Sequence, residues 1–118
     1  MKVIIAGGRT FNTQQHYELL KEVCTEMLSK CTNIEIVSGT ARGADSLGEN
    51  FATEMGYDIK RFPADWNQFG KGAGHIRNKQ MADYADALIV FWDEESKGTK
   101  SMISLAKKQN LQIKIQIY

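Results

Sequence analysis

The chain has 118 residues, of which 42% are hydrophobic and 25% charged. That size suits one compact domain with its own core, and the composition excludes a disordered chain or a disulfide-dependent miniprotein. Lys plus Arg is 15 and Asp plus Glu is 14, a net charge of +1, which excludes a domain-wide basic footprint for duplex DNA or an anionic membrane. Any anion site must therefore be local. No apolar run approaches the ~18 residues of a membrane span. Val3-Ile4-Ile5-Ala6 is too short for a signal peptide before polar Arg9 and Thr10. Cys24 and Cys31 fall in one predicted helix, where a 1.5 Å rise separates them by about 10.5 Å, too far to bridge. A reduced, cytoplasmic protein of one domain is the expectation.

In chain order, five apolar runs of strand length alternate with four stretches of helical period. Val3 to Ala6 is the first strand. The first helix runs from about Gln14 to Lys30, with Leu20, Val23, Cys24, Met27, Leu28 and Cys31 on one face and Asn12 or Thr13 as its cap. Ile34 to Val37 is the second strand. The second helix buries Ala44, Leu47, Phe51, Ala52 and Met55, and Gly56 ends it. Tyr57 to Phe62 is the third strand. The third helix runs from near Gly74 to about Tyr84, after a stretch, Gly70-Lys71-Gly72-Ala73-Gly74, that reads as a flexible loop. Ala87 to Trp92 is the fourth strand. The fourth helix begins near Thr99 and buries Met102, Ile103 and Ala106, and Leu111 to Tyr118 is the fifth strand.

Strict alternation predicts an α/β, Rossmann-like, doubly wound parallel sheet with helices on both faces. The first and fourth strands are continuously apolar and belong in the middle, whereas the third and fifth alternate and belong at the edges. The predicted strand order is 3-2-1-4-5. The order reverses between strands one and four, and ligands of such sheets bind in the crevice there.

The glycines and arginines favour the same edge. Eight of the ten glycines, Gly7, Gly8, Gly39, Gly43, Gly70, Gly72, Gly74 and Gly98, fall where the chain leaves a strand and enters a helix. Arg9 follows the first strand, Arg42 follows the second, and Arg77 lies in the first turn of the third helix; only Arg61 lies within a strand. Helix N-termini with free N–H groups, close glycine backbone and bidentate arginines together make a phosphate-binding rim. The competing reading is tight turns with local ion pairs to Asp45, Asp65 or Asp93. No Walker-type loop or G-x-S-x-G elbow is present, and no cofactor motif is found. His16 and His75 are far apart without companion ligands, so no metal site is expected. His75 either touches a ligand or is simply solvated. Trp66 and Phe69, in the longest loop, form either a base-stacking lid or a hydrophobic plug or dimer contact.

Five ordered motifs carry a family resemblance: Ile5-Ala6-Gly7-Gly8-Arg9-Thr10-Phe11, Ser38-Gly39-Thr40-Ala41-Arg42-Gly43-Ala44-Asp45, Phe62-Pro63-Ala64-Asp65-Trp66, Ile76-Arg77-Asn78-Lys79-Gln80-Met81-Ala82 and Ser96-Lys97-Gly98-Thr99. Together they resemble the small bacterial and phage proteins of the SLOG superfamily, in the branch related to YspA. That superfamily includes the Lonely Guy phosphoribohydrolases and the Rossmann-like core of DNA-processing protein A. The resemblance implies a nucleotide or nucleotide-derived ligand at the carboxyl rim, held by Gly7, Gly8, Arg9, Ser38, Gly39, Arg42, Gly43, Asp45, Arg77, Asn78, Ser96, Gly98 and Thr99. It also implies a homo-oligomer. Arg77 falls where Lonely Guy enzymes carry an arginine implicated in catalysis, and Met102 stands in the place of their catalytic Glu.

Three functions follow. The first is a sensor, carrier or sponge for a phosphorylated nucleotide derivative. The second is a hydrolase acting on an N-glycosidic or phosphoester bond, with Arg77 and Asp45 as the leading catalytic candidates and Asp65, Asp93, Glu94 and Glu95 as further acids. The third is binding of single-stranded nucleic acid, for which the net charge gives little support.

Overall fold

The computed structural model describes residues 1–118. A five-stranded parallel sheet has the order β3-β2-β1-β4-β5. Its strands are β1 (Lys2–Gly7), β2 (Glu35–Ser38), β3 (Asp58–Arg61), β4 (Ala87–Trp92) and β5 (Gln112–Ile117). Four crossover helices connect them: α1 (Gln14–Leu28), α2 (Ala44–Met55), α4 (Ala73–Tyr84) and α5 (Lys97–Lys108). A single-turn helix, α3 (Trp66–Phe69), and a 3-10 turn over Gly70–Gly72 precede α4. Every predicted strand and crossover helix is present, with ends shifted by one or two residues.

Alternation along the central strands splits the core in two. Val3, Ile5, Ala87, Ile89 and Phe91 point to α1 and α2. Ile4, Ala6, Leu88 and Val90 point to α4 and α5. A parallel strand with both faces covered must be apolar at every position, which is why β1 and β4 read as unbroken runs. β3 and β5 close the sheet at either side, and no residue of either is fully buried.

Two local features differ from the sequence reading, and the choice of cap for α1 is resolved to Thr13. Helix α1 ends at Leu28 rather than Lys30, where Ser29 bonds the Glu26 carbonyl through both its N–H and its hydroxyl and Cys31 N–H bonds the Leu28 carbonyl, tight bonds that replace the α-helical pattern. Its cap is Thr13, whose side chain accepts from the His16 N–H at 3.1 Å. His16 Nδ1 accepts the backbone N–H of Asn12 and Thr13 in return, so this histidine closes a capping box. The stretch expected to be a flexible loop is helical: Asp65 caps α3 by accepting from Gln68 N at 3.1 Å, and the 3-10 turn leads directly into Ala73.

Phe11 locks the first rim loop to the core. It is fully buried and stacks on Phe91 at 4.6 Å between ring centroids, with His16 and Tyr118 against it. Phe11→Ala leaves a ring-sized void, so chemical denaturation should show a loss of about 3–5 kcal/mol; a loss below ~1 kcal/mol would mean that the loop is anchored elsewhere.

Candidate functional site

The loops after β1 and β4 part company where the strand order reverses, and a cavity of about 410 Å³ opens between them. Gly7, Gly8, Arg9 and Thr10 form one wall; Asp93, Ser96, Gly98 and Thr99 form the other. Asp45 from α2 and Arg77 and Asn78 from α4 also line it, over a floor that includes Met81 and Met102. Beside it lies a second cavity of about 310 Å³, lined by Gly39, Thr40, Arg42, Pro63, Ala64 and Trp66. Arg9, Ala41 and Arg77 belong to both.

The helix N-termini are not equivalent. That of α2 is occupied by the protein: Ala44 N donates to the Gly8 carbonyl at 3.2 Å, and Asp45 places an acid in the first turn. Ser96 caps α5, its Oγ accepting from Thr99 N and Thr99 Oγ1. The amides of Lys97 and Gly98 have no partner in the chain, and the first turn holds no acid. Asp93 shapes this entry by accepting from Ser96 N at 2.8 Å and Glu95 N at 2.9 Å, bonds that hold its carboxyl below the usual range. The α5 terminus thus presents two free amides and no acid to the cavity, an arrangement chemically able to accept an anion.

The rim arginines form no direct ion pair. The three ion pairs of the molecule are Lys21–Glu54, Arg61–Glu49 and Lys79–Asp83, and none involves Arg9, Arg42 or Arg77. The ion pairs of the competing reading are thus absent as direct contacts, although the Asp45 charge acts on Arg77. Arg77 is half-buried and donates to the Gly39 carbonyl and, from Nε, to Asn78 Oδ1 at 3.0 Å. Asn78 is buried and donates in turn to the Gly98 carbonyl at 3.3 Å, joining α4 to the mouth of α5. Burial lowers the Arg77 pKa, Asp45 opposes that shift, and the charge of Arg9 adds to it.

Asp45 is 5% exposed, and Ala41 N donates to its Oδ2 at 3.1 Å. Burial pushes its carboxyl up to about 6, against the Ala41 bond and the Arg77 charge, with Glu49 adding to the rise. A Cβ on Gly39 would lie 2.8 Å from Asp45 Oδ2 and 2.9 Å from Arg77 Nη1, so only glycine leaves both groups in place. Gly43 combines a φ of 82° with a hypothetical Cβ 2.6 Å from Arg9 Cα, so it too admits no side chain.

Of the residues expected at the ligand, Gly7, Gly8, Arg9, Asp45, Arg77, Asn78, Ser96, Gly98 and Thr99 line the first cavity. Arg42 does not reach it; with Gly39 it lines the second. All three arginines therefore meet in the second cavity, but only Arg9 and Arg77 share the first one with the start of α5. Ser38 and Gly43 line neither cavity. Ser38 is buried, donating to Glu49 Oε2 at 2.7 Å and accepting from Thr40 N at 3.1 Å. His75 bonds Ser101 Oγ at 3.1 Å and lines neither cavity. Asp65, Glu94 and Glu95 are also outside both. Thr40 and Pro63 were not foreseen as lining residues, although each lies within a motif already singled out, and Trp66, left open between a lid and a plug, lines the second cavity.

Residues 1–69 match the family described as "YspA, cpYpsA-related SLOG family". The chain belongs to this family. The match covers the first three motifs, and the last two lie beyond it. Gene 61 protein of Mycobacterium phage D29 is 28% identical over 118 residues, spanning 95% of this chain and 93% of that protein. DNA processing protein A from Streptococcus pneumoniae superposes with a TM-score of 0.77 at 17% identity, over 97% of this chain and 49% of that one. The Helicobacter pylori protein of the same name, described for a unique single-stranded DNA binding mode, gives 0.67 at 21% identity, over 98% of this chain and 64% of that one. These two likenesses establish the fold. The chain spans about half of the first protein and under two thirds of the second.

The Asp45 shift sets a pH dependence. An unfolded Asp has a pKa of 3.8 and the folded one about 6. The folded state therefore holds the extra proton, so the associated stability is full below about pH 4 and is lost as pH rises through 6. Asp45→Asn should be more stable than the parent at pH 7 by on the order of 2–3 kcal/mol, with the gap closing towards pH 4. Urea melts at both pH values check this, and a gap independent of pH would refute the shift.

Proposed function

We propose that this protein binds the phosphate of a nucleotide or nucleotide-derived ligand in the first cavity, as a sensor, carrier or sponge. One observation carries the reading: two rim guanidiniums that form no direct ion pair share a cavity with the unpartnered first-turn amides of α5. A phosphate there would satisfy both sets of donors, and charge-assisted bonds of this kind contribute about 1.5–3 kcal/mol each. Membership of a SLOG family supports the same reading. Met102, buried under the cavity, supplies no acid.

Asp45 favours a second reading, hydrolysis of the bound nucleotide, because its carboxyl lines the cavity and titrates near 6. Chromatography of nucleoside 5′-monophosphates incubated with the protein separates the two. Binding without release of free base is the expected result. Rapid release that Asp45→Asn abolishes would make the protein an enzyme.

Calorimetry with the same monophosphates should show Arg77→Ala weakening binding by roughly 10-fold or more, since it removes a charged donor. Thr99→Ala should cost less, because the backbone amides of α5 remain. Equal affinity for nucleosides with and without phosphate would overturn the phosphate site. Mass spectrometry of small molecules released from the purified protein would name the natural ligand.

A further inference from the structure

The second cavity differs in chemistry from the first. Arg9, Arg42 and Arg77 line it and no acidic residue does, whereas Asp45 and Asp93 line the first. Its apolar side carries Pro63 and Trp66, and the Trp66 side chain is among the most exposed large hydrophobics, at 52%. The indole is nonetheless placed. Asp65 caps the turn that carries it, and a Cβ on Gly74 would lie 3.5 Å from the ring and 3.8 Å from Arg77 Nη2. The ring and the guanidinium thus flank the same glycine at the start of α4. Thr40, on the opposite loop, has a φ of 62°, an unfavourable conformation for a β-branched residue. The Ser38 hydroxyl holds it there by accepting its N–H. Local strain of this kind, maintained by a buried side chain, is found where a loop must present its backbone to a ligand.

We propose that this second cavity is a base-binding subsite, and that the ligand is two nucleoside units joined through phosphate. The inference rests on the phosphate site proposed for the first cavity. Arg9 and Arg77 belong to both cavities, so they would grip the phosphate linkage between the two units. Trp66 would stack the second base, and Arg42 would meet its sugar or a further phosphate. A mononucleotide fills only one cavity and leaves Trp66 and Arg42 unused. The linkage can be a phosphodiester or a pyrophosphate, since either presents anionic oxygens to the shared arginines.

Calorimetry with four probes tests this: AMP, 5′-phosphorylated diadenylate, diadenosine diphosphate, and an oligoadenylate of about 10 nucleotides. At least one two-unit probe should bind roughly 10-fold or more tightly than AMP, the range that stacking one base on an aromatic side chain supplies. Which of the two binds identifies the linkage. Trp66→Ala and Arg42→Ala should each shrink that ratio several-fold, while Trp66→Phe restores most of it. Ligand-induced quenching of tryptophan fluorescence should disappear in Trp66→Phe, leaving only Trp92. A two-unit probe no tighter than AMP, or a ratio indifferent to Trp66→Ala, overturns the subsite but leaves the phosphate site standing. Affinity that keeps climbing to the long strand overturns the two-unit ligand in favour of a polymer. Failure of all four probes, AMP included, overturns the phosphate site and the subsite together.

Discussion

The Gly8 carbonyl accepts two backbone N–H groups, from Phe11 and from Ala44, each at 3.2 Å. The first bond closes the turn that sends Phe11 into the core. The second takes the leading amide of α2, so the loop after β1 and the loop after β2 become one rigid unit. Gly43 permits the approach, since any side chain there would collide with Arg9. This junction fixes where Arg9 leaves the backbone and which helix terminus remains open. At α2 the Gly8 carbonyl takes the Ala44 amide and Asp45 places an acid in the first turn, whereas the amides of Lys97 and Gly98 face no protein acceptor and no first-turn acid. In a doubly wound sheet several helices start on the same edge, and here α2 and α5 differ in how far the protein itself meets their positive ends.

A near-neutral chain can still carry a strong local field. Lys79, Lys21 and Arg61 spend their charges on carboxylates along the helix surfaces and at the β3 edge. Arg9, Arg42 and Arg77 do not, and Arg9 lowers the pKa of Arg77, which means that the two guanidiniums repel each other. The protein tolerates that repulsion through solvent exposure of Arg9 and through the neutral acceptors, Gly39 O and Asn78 Oδ1, that hold Arg77. Neutral acceptors orient a guanidinium without cancelling its charge. Net charge, summed over the whole chain, is blind to this arrangement.

The sheet order was legible because burial on two faces leaves a plain mark: Ala87 to Trp92 has no polar position, while Gln112 to Ile117 alternates. Rim placement of the arginines followed from chain order alone. What the sequence could not show was how the rim is divided. Arg42 is only three residues from Asp45, yet it lines the outer cavity while Asp45 lies buried beside the inner one, because α2 begins between them and turns the chain inward. Ser38 sits in a motif and looks like a ligand residue, but its hydroxyl is committed to Glu49 and Thr40, partners set by tertiary packing. The stretch from Trp66 to Gly72 reads as a loop because its glycines outweigh any helical period; the Asp65 cap was the available sign that it begins as a helix.

Burial explains both why Asp45 attracts attention and why its reach is limited. The desolvation that raises its carboxyl to about 6 also leaves it 5% exposed, with one oxygen accepting from Ala41. That bond holds the chain just before Arg42, at a residue shared by both cavities. An acid that shuttles protons during turnover has to approach the reacting atom and change its bonds, whereas Asp45 is held by a backbone amide and packed beneath a loop. Met102, under the first cavity, is buried and apolar. The groups that remain free to meet a ligand are donors: guanidiniums and helix amides. Such a set can hold an anion through its charge, while the two carboxyls that line the same cavity are tied to backbone amides, Asp45 to Ala41 and Asp93 to Glu95 and Ser96, and this is the physical ground for proposing binding ahead of turnover.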